Sequence, residues 1–194
     1  MANAYLDTKL MDRAIEFAVK AHSDSERRGK GFPYIIRPME AAAIVATMTS
    51  DQELLAAAVL HDTVEDTNVT VDQLRTLFGD RVASLVEAES DVFVEGLSEE
   101  ATWHDRKQAA IDRLAAAPHD AKMVALGDKL SNMRAIARDY EVQGDELWKI
   151  FHAKGRSDHE WHYRGLAASL SELADTFAFR EFVDLIDGVF GKNE

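Results

Sequence analysis

Cysteine is absent from this chain of 194 residues. Its absence excludes a disulfide framework, a thiolate nucleophile and a cysteine-bound zinc ion. Long apolar runs are also missing, because the longest, Leu54–Leu60, is far too short to cross a bilayer. Near the start of the chain, Asp7 and Lys9 interrupt any secretory leader. These absences predict a cytoplasmic protein with no membrane segment.

Positive charge is scarce as well. The chain has 22 Lys and Arg against 35 Asp and Glu, which gives a formal net charge of −13. Such a surface repels nucleic acids and anionic membranes, so neither is expected as a partner. An anionic small-molecule substrate would need a local group of cations or a metal ion to draw it in.

Proline occurs three times, and apolar residues recur at spacings of three and four rather than alternating. This pattern predicts an all-α fold, and the lack of an obvious linker predicts a single domain over 1–194. Pro38 fits the first turn of a helix, and Asp51 is placed to cap the next one. We predict a loop over 23–38 and helices over about 7–21, 38–47, 51–62, 70–78, 80–92, 98–117, 120–138, 157–177 and 180–190.

The densest group of ionisable side chains follows the apolar run directly. His61 offers a neutral nitrogen and Asp62 a carboxylate oxygen, a combination that suits zinc, manganese or iron. Glu65 and Asp66 come one turn later, where acids could act on a water molecule or a leaving group. The alternative is a charged helix end with ordinary solvated acids, and the residues alone leave it open.

A second candidate is Asp128, which interrupts an apolar stretch over 123–130. A buried carboxylate needs a metal ion or a cationic partner. Asn132 and Ser131 share its helix face, since they follow it by four and three residues. The residues leave a metal ligand and a salt bridge to Lys or Arg equally open.

A third candidate is cationic: Arg27, Arg28, Lys30 and Arg37 all fall within the predicted loop. In a chain of this net charge, they predict a patch that attracts anions. The alternative is a solvated loop.

The remaining histidines and aromatic residues receive structural interpretations. His22 is expected to be a buried histidine with satisfied hydrogen bonds. Surface positions are expected for His104, His119, His152 and His159. Helix packing is expected for Trp103, Trp148, Trp161 and Phe177.

Together these signals resemble the HD-domain phosphohydrolases, and more narrowly the hydrolase domain of bacterial Rel/Spo alarmone enzymes and their small stand-alone relatives. The similarity runs in order over about residues 11–138, and the helices over about 139–194 are expected to pack onto that part. The eight-residue block over 60–67 is its most specific element. The matching segments are 21–22, 27–29, 33–38, 60–67, 78–79 and 128–134.

The resemblance implies a single-domain helical bundle that binds one divalent ion, usually Mn²⁺, and hydrolyses the 3′-pyrophosphate of guanosine tetra- or pentaphosphate. It gives no oligomeric state. By position, the metal ligands would be His61, Asp62 and Asp128. Glu65 and Asp66 would position and deprotonate the attacking water or assist the leaving oxygen. Arg27 would lie against the purine, with Arg28, Lys129 and Asn132 towards the ribose and phosphates.

One position departs from the family pattern, which places a metal-binding histidine where this chain has Arg37. A guanidinium has no lone pair and cannot ligate a metal. Three consequences are open: another ligand such as water or His22 completes a weaker site, Arg37 binds substrate phosphate, or Arg37 replaces the metal by bridging Asp62 and Asp128. The alternative functions are a metal-poor nucleotide- or protein-binding module and a hydrolase of another phosphoester.

Overall fold

The structure is a computed structural model that describes residues 7–27, 31–89, 102–151 and 155–191. Within these ranges the chain is helical, and its only strand-like pairing is one isolated bridge between Glu26 and Pro33. The predicted all-α class is therefore confirmed. None of the described helices combines the length and apolar character needed to span a membrane.

The chain divides into two compact units, residues 1–90 and 91–194. The single domain over 1–194 stays a prediction. In the first unit, helix α3 is central, because it packs against α1, α2 and α6 and its residues from Ala56 to Leu60 are all buried. The helices of this unit are α1 (Lys9–Ala21), α2 (Ile36–Val45), α3 (Gln52–Leu60), α4 (Thr63–Asp66), α5 (Val71–Phe78) and α6 (Asp80–Glu89).

Helix ends in this unit mostly follow the capping signals of the sequence. The side chain of Asp51 accepts a hydrogen bond from Glu53 N at 2.9 Å at the start of α3. Thr70 and Gln73 form a reciprocal capping box at the start of α5. Gly79 ends that helix with a φ of 94°, in the region that favours glycine.

The predicted helix over 51–62 ends early, at Leu60. The side chains that follow take over its last carbonyl groups: His61 Nδ1 lies 2.7 Å from Ala58 O, and Thr63 Oγ1 donates to Leu60 O at 2.7 Å. His61 and Asp62 consequently lie in a turn between α3 and α4. The loop predicted over 23–38 is also too long, because α2 begins at Ile36 and holds Pro38 in its first turn.

In the second unit, α8 packs against α10, and α9 packs against both α7 and α10. The predicted helix over 157–177 is wrong in its second half: α9 ends at Ser169, and Thr176 Oγ1 caps a new helix by accepting from Phe179 N at 3.1 Å. The predicted segments over 90–92 and 98–101 lie outside the described residues. The elements are α7 (Trp103–Ala116), α8 (His119–Gln143), a 3₁₀ helix (Gly144–Ile150), α9 (Arg156–Ser169), a second 3₁₀ helix (Ser171–Leu173) and α10 (Phe177–Phe190).

Histidines and aromatic rings pack together around α9, which corrects one expectation. His159 is buried rather than on the surface, and its ring stacks on Trp148 with centroids 5.4 Å apart. Trp103 lies 5.7 Å from the ring of His159 and 6.0 Å from that of His162. Burial lowers the pKa of both imidazoles, and with the nearby Lys107 it lowers the pKa of His162 to about 3. His152 lies outside the described residues.

Acid should destabilise the fold through His162. Its pKa is about 3 when folded and 6.5 in the reference state, so the unfolded chain binds more protons between these values. The contribution of His162 to the free energy of unfolding is therefore fully present above pH 6.5, and it falls by up to about 1.4 kcal/mol per pH unit below that pH. The free energy of unfolding, measured with urea from pH 5 to 8, should depend less steeply on pH in His162→Gln than in wild type. The exposed His104→Gln is the control, and an unchanged slope in His162→Gln would contradict the assignment.

Two phenylalanines of α10 differ in their contribution to stability. Phe182 is fully buried, whereas Phe177 is 72% exposed and so does not pack as the sequence predicted. Phe182→Ala should lower the free energy of unfolding by about 3–5 kcal/mol, because it leaves a cavity. Phe177→Ala should change it by less than about 0.5 kcal/mol. Chemical denaturation of both variants measures the difference, and equal effects would refute the packing described here.

Candidate active site

The carboxylate of Asp62 is the centre of a polar cluster in the first unit. Its Oδ2 accepts hydrogen bonds from the hydroxyl of Tyr34, at 2.7 Å, and from Nη1 of Arg37. The same Nη1 donates to the Tyr34 hydroxyl at 2.8 Å. His61 Nε2 lies 3.2 Å from the same carboxylate oxygen. Three side chains therefore converge on one buried oxygen atom.

Local backbone structure brings these groups together from two places in the sequence. Tyr34 N donates to Ser25 O at 2.9 Å, and Arg37 N donates to Tyr34 O at 3.0 Å, so both residues are fixed at the start of α2. His61 and Asp62 follow the last residue of α3, which packs against α2. The apolar contacts between these two helices thus set the positions of the polar cluster.

The hydrogen bond of His61 fixes its tautomer. Because Ala58 O can only accept, Nδ1 of His61 must donate in their 2.7 Å contact, and the neutral ring then carries its lone pair on Nε2. A backbone carbonyl that holds the second ring nitrogen in this way is typical of metal-ligating histidines. The atoms His61 Nε2 and Asp62 Oδ2 lie 3.2 Å apart, and two acceptor atoms this close together favour a cation beside them. The donor chemistry of this pair therefore fits a divalent metal ion.

Arg37 places its own cation at this pair. Its side chain is only 12% exposed and forms an ion pair with Asp62, so in this structure that carboxylate balances its positive charge. Among the residues that the structure describes, no three His, Asp or Glu side chains are grouped to bind a metal ion. A bridge from Arg37 to Asp128 stays a prediction.

The two acids of α4 differ from Asp62 in their exposure to solvent. Glu65 and Asp66 are both exposed, and Asp66 N donates to Asp62 O at 2.9 Å. Asp66 also lines a cavity of about 560 Å³, together with Phe17 and Lys20. Acids in this position can exchange protons with water, which the buried Asp62 carboxylate is not free to do.

His22 differs from its expected role as a histidine with satisfied hydrogen bonds. It is 4% exposed, and neither ring nitrogen has a hydrogen-bond partner among the described residues. Its ring packs on Tyr34, with centroids 4.8 Å apart, and lines a second cavity of about 530 Å³. Burial lowers the pKa of His22, opposed by the negative charge of Asp66 and assisted by His61 and Arg37. His22 thus belongs electrostatically to the Asp62 cluster.

Sequence reasoning gave Tyr34 no role of its own. Burial raises the pKa of its hydroxyl, which therefore stays protonated and donates to Asp62. The signal that could have found it is the spacing of three residues between Tyr34 and Arg37 in the turn that leads into α2, where Arg37 N donates to Tyr34 O.

Asp128 has partners within the second unit. It is 4% exposed, its Oδ2 accepts from Lys129 Nζ at 2.7 Å, and its Oδ1 accepts from Asn132 Nδ2 at 3.0 Å. The proposed salt bridge is therefore present, while a role as metal ligand stays a prediction.

In the first unit, Arg27 is half-buried and its N donates to Phe32 O at 2.9 Å. Arg28 lies outside the described residues.

Comparison with known proteins gives a family and several relatives. The sequence profile of the HD domain matches residues 14–153. A guanosine-3′,5′-bis(diphosphate) 3′-pyrophosphohydrolase of Aquifex aeolicus is 34% identical over 128 residues, which cover 65% of this chain and 18% of that protein. The enzyme of the same name, MESH1, from Danio rerio is 32% identical over 134 residues, which cover 68% of this chain and 71% of the relative. This chain thus spans under a fifth of the Aquifex relative but most of the Danio one.

Solved structures give the same fold. A metazoan orthologue of SpoT, described as hydrolysing ppGpp, superposes with a TM-score of 0.71 over 95% of this chain and 96% of its own, at 24% identity. A protein from Listeria monocytogenes superposes with a TM-score of 0.70 over 80% of this chain and 99% of its own, at 27% identity.

Asp62→Asn should destabilise the first unit, because it leaves the guanidinium of Arg37 buried without its counter-charge. Removing one partner of a buried ion pair typically costs about 3–5 kcal/mol. Thermal and urea unfolding in the presence of EDTA measure this cost without a contribution from metal. Glu16→Gln, which changes an exposed carboxylate on α1, is the control and should stay within about 0.5 kcal/mol of wild type. Equal stability of both variants would mean that the ion pair is not formed in solution.

Proposed function

Because this chain belongs to the HD domain family, we propose that it removes the 3′-pyrophosphate from guanosine 3′,5′-bis(diphosphate) or a related nucleotide. Support comes from its relatives, which are named as enzymes of this activity, and from one geometric observation. That observation is the buried pair of His61 Nε2 and Asp62 Oδ2, two atoms that lie 3.2 Å apart, with the exposed acids of α4 next along the chain.

Hydrolases of the HD family depend on a divalent metal ion. In this chain we assign it to His61, Asp62 and Asp128, and we propose Mn²⁺ as the ion used. When bound, such an ion neutralises phosphate charge and lowers the pKa of a water molecule. Zn²⁺, Mg²⁺ and Mn²⁺ compared at equal concentration would test the identity of the ion.

The acids of α4 are assigned to proton transfer. Glu65 and Asp66 are exposed, so a water molecule and a substrate oxygen can both reach them. One carboxylate accepts a proton from the attacking water, and the other assists the departing oxygen. Asp62 is unsuited to this task, because its oxygen already accepts from Tyr34 and Arg37.

Basic and amide side chains are assigned to the nucleotide. Arg27 lies against the purine, while Arg28, Lys129 and Asn132 bind the ribose and the phosphates. Arg37 is a further phosphate ligand, because a guanidinium forms paired hydrogen bonds with phosphate oxygens. Local cations are required in a chain of net charge −13, which would otherwise repel a polyphosphate.

Purified protein with Mn²⁺ should release pyrophosphate from guanosine tetraphosphate and leave the 5′-diphosphate intact. Glu65→Gln and Asp66→Asn should each lower kcat by about 10²–10⁴-fold, the usual contribution of a general acid or base. Asp62→Ala should be inactive, and the surface variant Arg75→Gln should match wild type. Release no faster than in Asp62→Ala would reject this substrate, and a panel of other phosphoesters would then identify the reaction.

A nucleotide-binding module is the second candidate, and the ion pair between Arg37 and Asp62 favours it. A site that already holds its own cation can bind an anion without a metal ion. This candidate requires guanosine tetraphosphate to stabilise the protein in the presence of EDTA, with no turnover when Mn²⁺ is added. Turnover with Mn²⁺ rejects it.

A further inference from the structure

We propose that Arg37 and a divalent metal ion compete for the carboxylate of Asp62. The guanidinium then acts as a built-in counter-cation that has to leave Asp62 before a metal ion binds tightly. The proposal rests on the metal site assigned above to His61 and Asp62, and it adds a regulator to that site. It makes position 37 a determinant of metal affinity in this chain.

The first argument is the occupancy of one oxygen atom. Oδ2 of Asp62 accepts from Arg37 Nη1 and from the Tyr34 hydroxyl, and a carboxylate oxygen has two lone pairs. A metal ion bound to a carboxylate lies about 2.0–2.2 Å from the oxygen. Such an ion would occupy the space of the two donor groups, so it needs at least the guanidinium to move.

The second argument is charge. The side chains of Arg37 and Asp62 are 12% and 9% exposed, so solvent screens their charges poorly. A divalent ion at His61 Nε2 would be repelled by the positive charge of Arg37, because both cations would lie beside the Asp62 carboxylate. Even a metal ion that used the other oxygen of Asp62 would be repelled, since the guanidinium would remain beside it.

The third argument is that Arg37 has another anion to bind once it leaves. Its guanidinium carbon lies 5.9 Å from the centroid of the Tyr34 ring, within the range of a cation–π contact. A phosphate group that binds the guanidinium removes it from Asp62 and opens the carboxylate to a metal ion. Phosphate and metal ion therefore bind with positive cooperativity, which is reciprocal by thermodynamic linkage.

Titration calorimetry with MnCl₂ alone, without nucleotide, tests the competition directly. Arg37→Gln should bind Mn²⁺ more tightly than wild type, on the order of 10–100-fold, the range seen when groups around metal ligands are changed. Arg37→His should bind at least as tightly as Arg37→Gln, because it adds a ligand. Arg37→Lys keeps the positive charge and should remain close to wild type.

Matched controls separate the local effect from the loss of one charge. Arg75→Gln removes a cation from α5, where it pairs with Asp72 and Asp80 on the surface, and should leave Mn²⁺ affinity unchanged. Tyr34→Phe removes the other donor to Asp62 without altering charge and should give a smaller gain. Equal affinity in wild type and Arg37→Gln, or weaker binding by the variant, overturns the proposal.

Thermal unfolding provides a second readout that does not depend on affinity. In EDTA, Arg37→Gln should melt below wild type, because Asp62 and His61 lose their cation. Mn²⁺ should raise the Tm of this variant more than that of wild type. A variant whose Tm in EDTA equals that of wild type and does not respond to Mn²⁺ also overturns the proposal.

Neither measurement uses turnover, so the outcome is separable from that of the proposed function. If the protein hydrolyses no guanosine tetraphosphate but Arg37→Gln gains Mn²⁺ affinity, the substrate is wrong and the competition stands. If wild type is active and already binds Mn²⁺ as tightly as Arg37→Gln, the function stands and the competition is wrong.

Discussion

The buried carboxylate of Asp62 requires a positive charge, and the first unit is organised around meeting that requirement. Asp62 follows α3, a helix whose last five residues are all buried. Water does not hydrate a carboxylate at that buried position, so its charge has to be balanced by a cationic side chain or by a bound ion. Arg37 supplies it from α2, the helix that packs against α3. The neighbouring groups Tyr34, His61 and His22 are arranged about this one pair.

The same requirement links stability to chemistry. A side chain that neutralises Asp62 permanently stabilises the unit but leaves the carboxylate unable to bind a metal ion. A metal ion would neutralise Asp62 only while it is bound. Under the proposed competition, Arg37 would meet the first demand and a metal ion the second. The acids of α4 are exposed to solvent, unlike Asp62, and this is why proton transfer is assigned to them rather than to Asp62.

Much of this arrangement could be predicted from sequence, and the exceptions have physical causes. Capping signals such as Asp51 and the pair of Thr70 and Gln73 gave correct helix starts, because they depend on contacts within one turn. The predicted end of α3 is wrong because side-chain hydrogen bonds from His61 and Thr63 to carbonyl groups end the helix before its apolar pattern does. The predicted end of α9 is wrong because Thr176 caps a new helix inside the segment that was predicted to be continuous. The ion pair of Arg37 with Asp62 was one of several open outcomes, because it joins residues 25 positions apart. Burial of His159 was missed, since its sequence neighbours are polar while its partners come from other helices.

The position of Arg37 at the start of α2 has an evolutionary consequence. His61 and Asp62 are anchored to the most buried helix of their unit, where exchange of either residue would disturb packing as well as chemistry. Arg37 lies outside that helix, at the start of α2, and its side chain is only 12% exposed because it pairs with Asp62. Exchange at position 37 therefore changes the charge beside Asp62 without removing an apolar side chain of α3, so a change in metal requirement is expected to begin at this position.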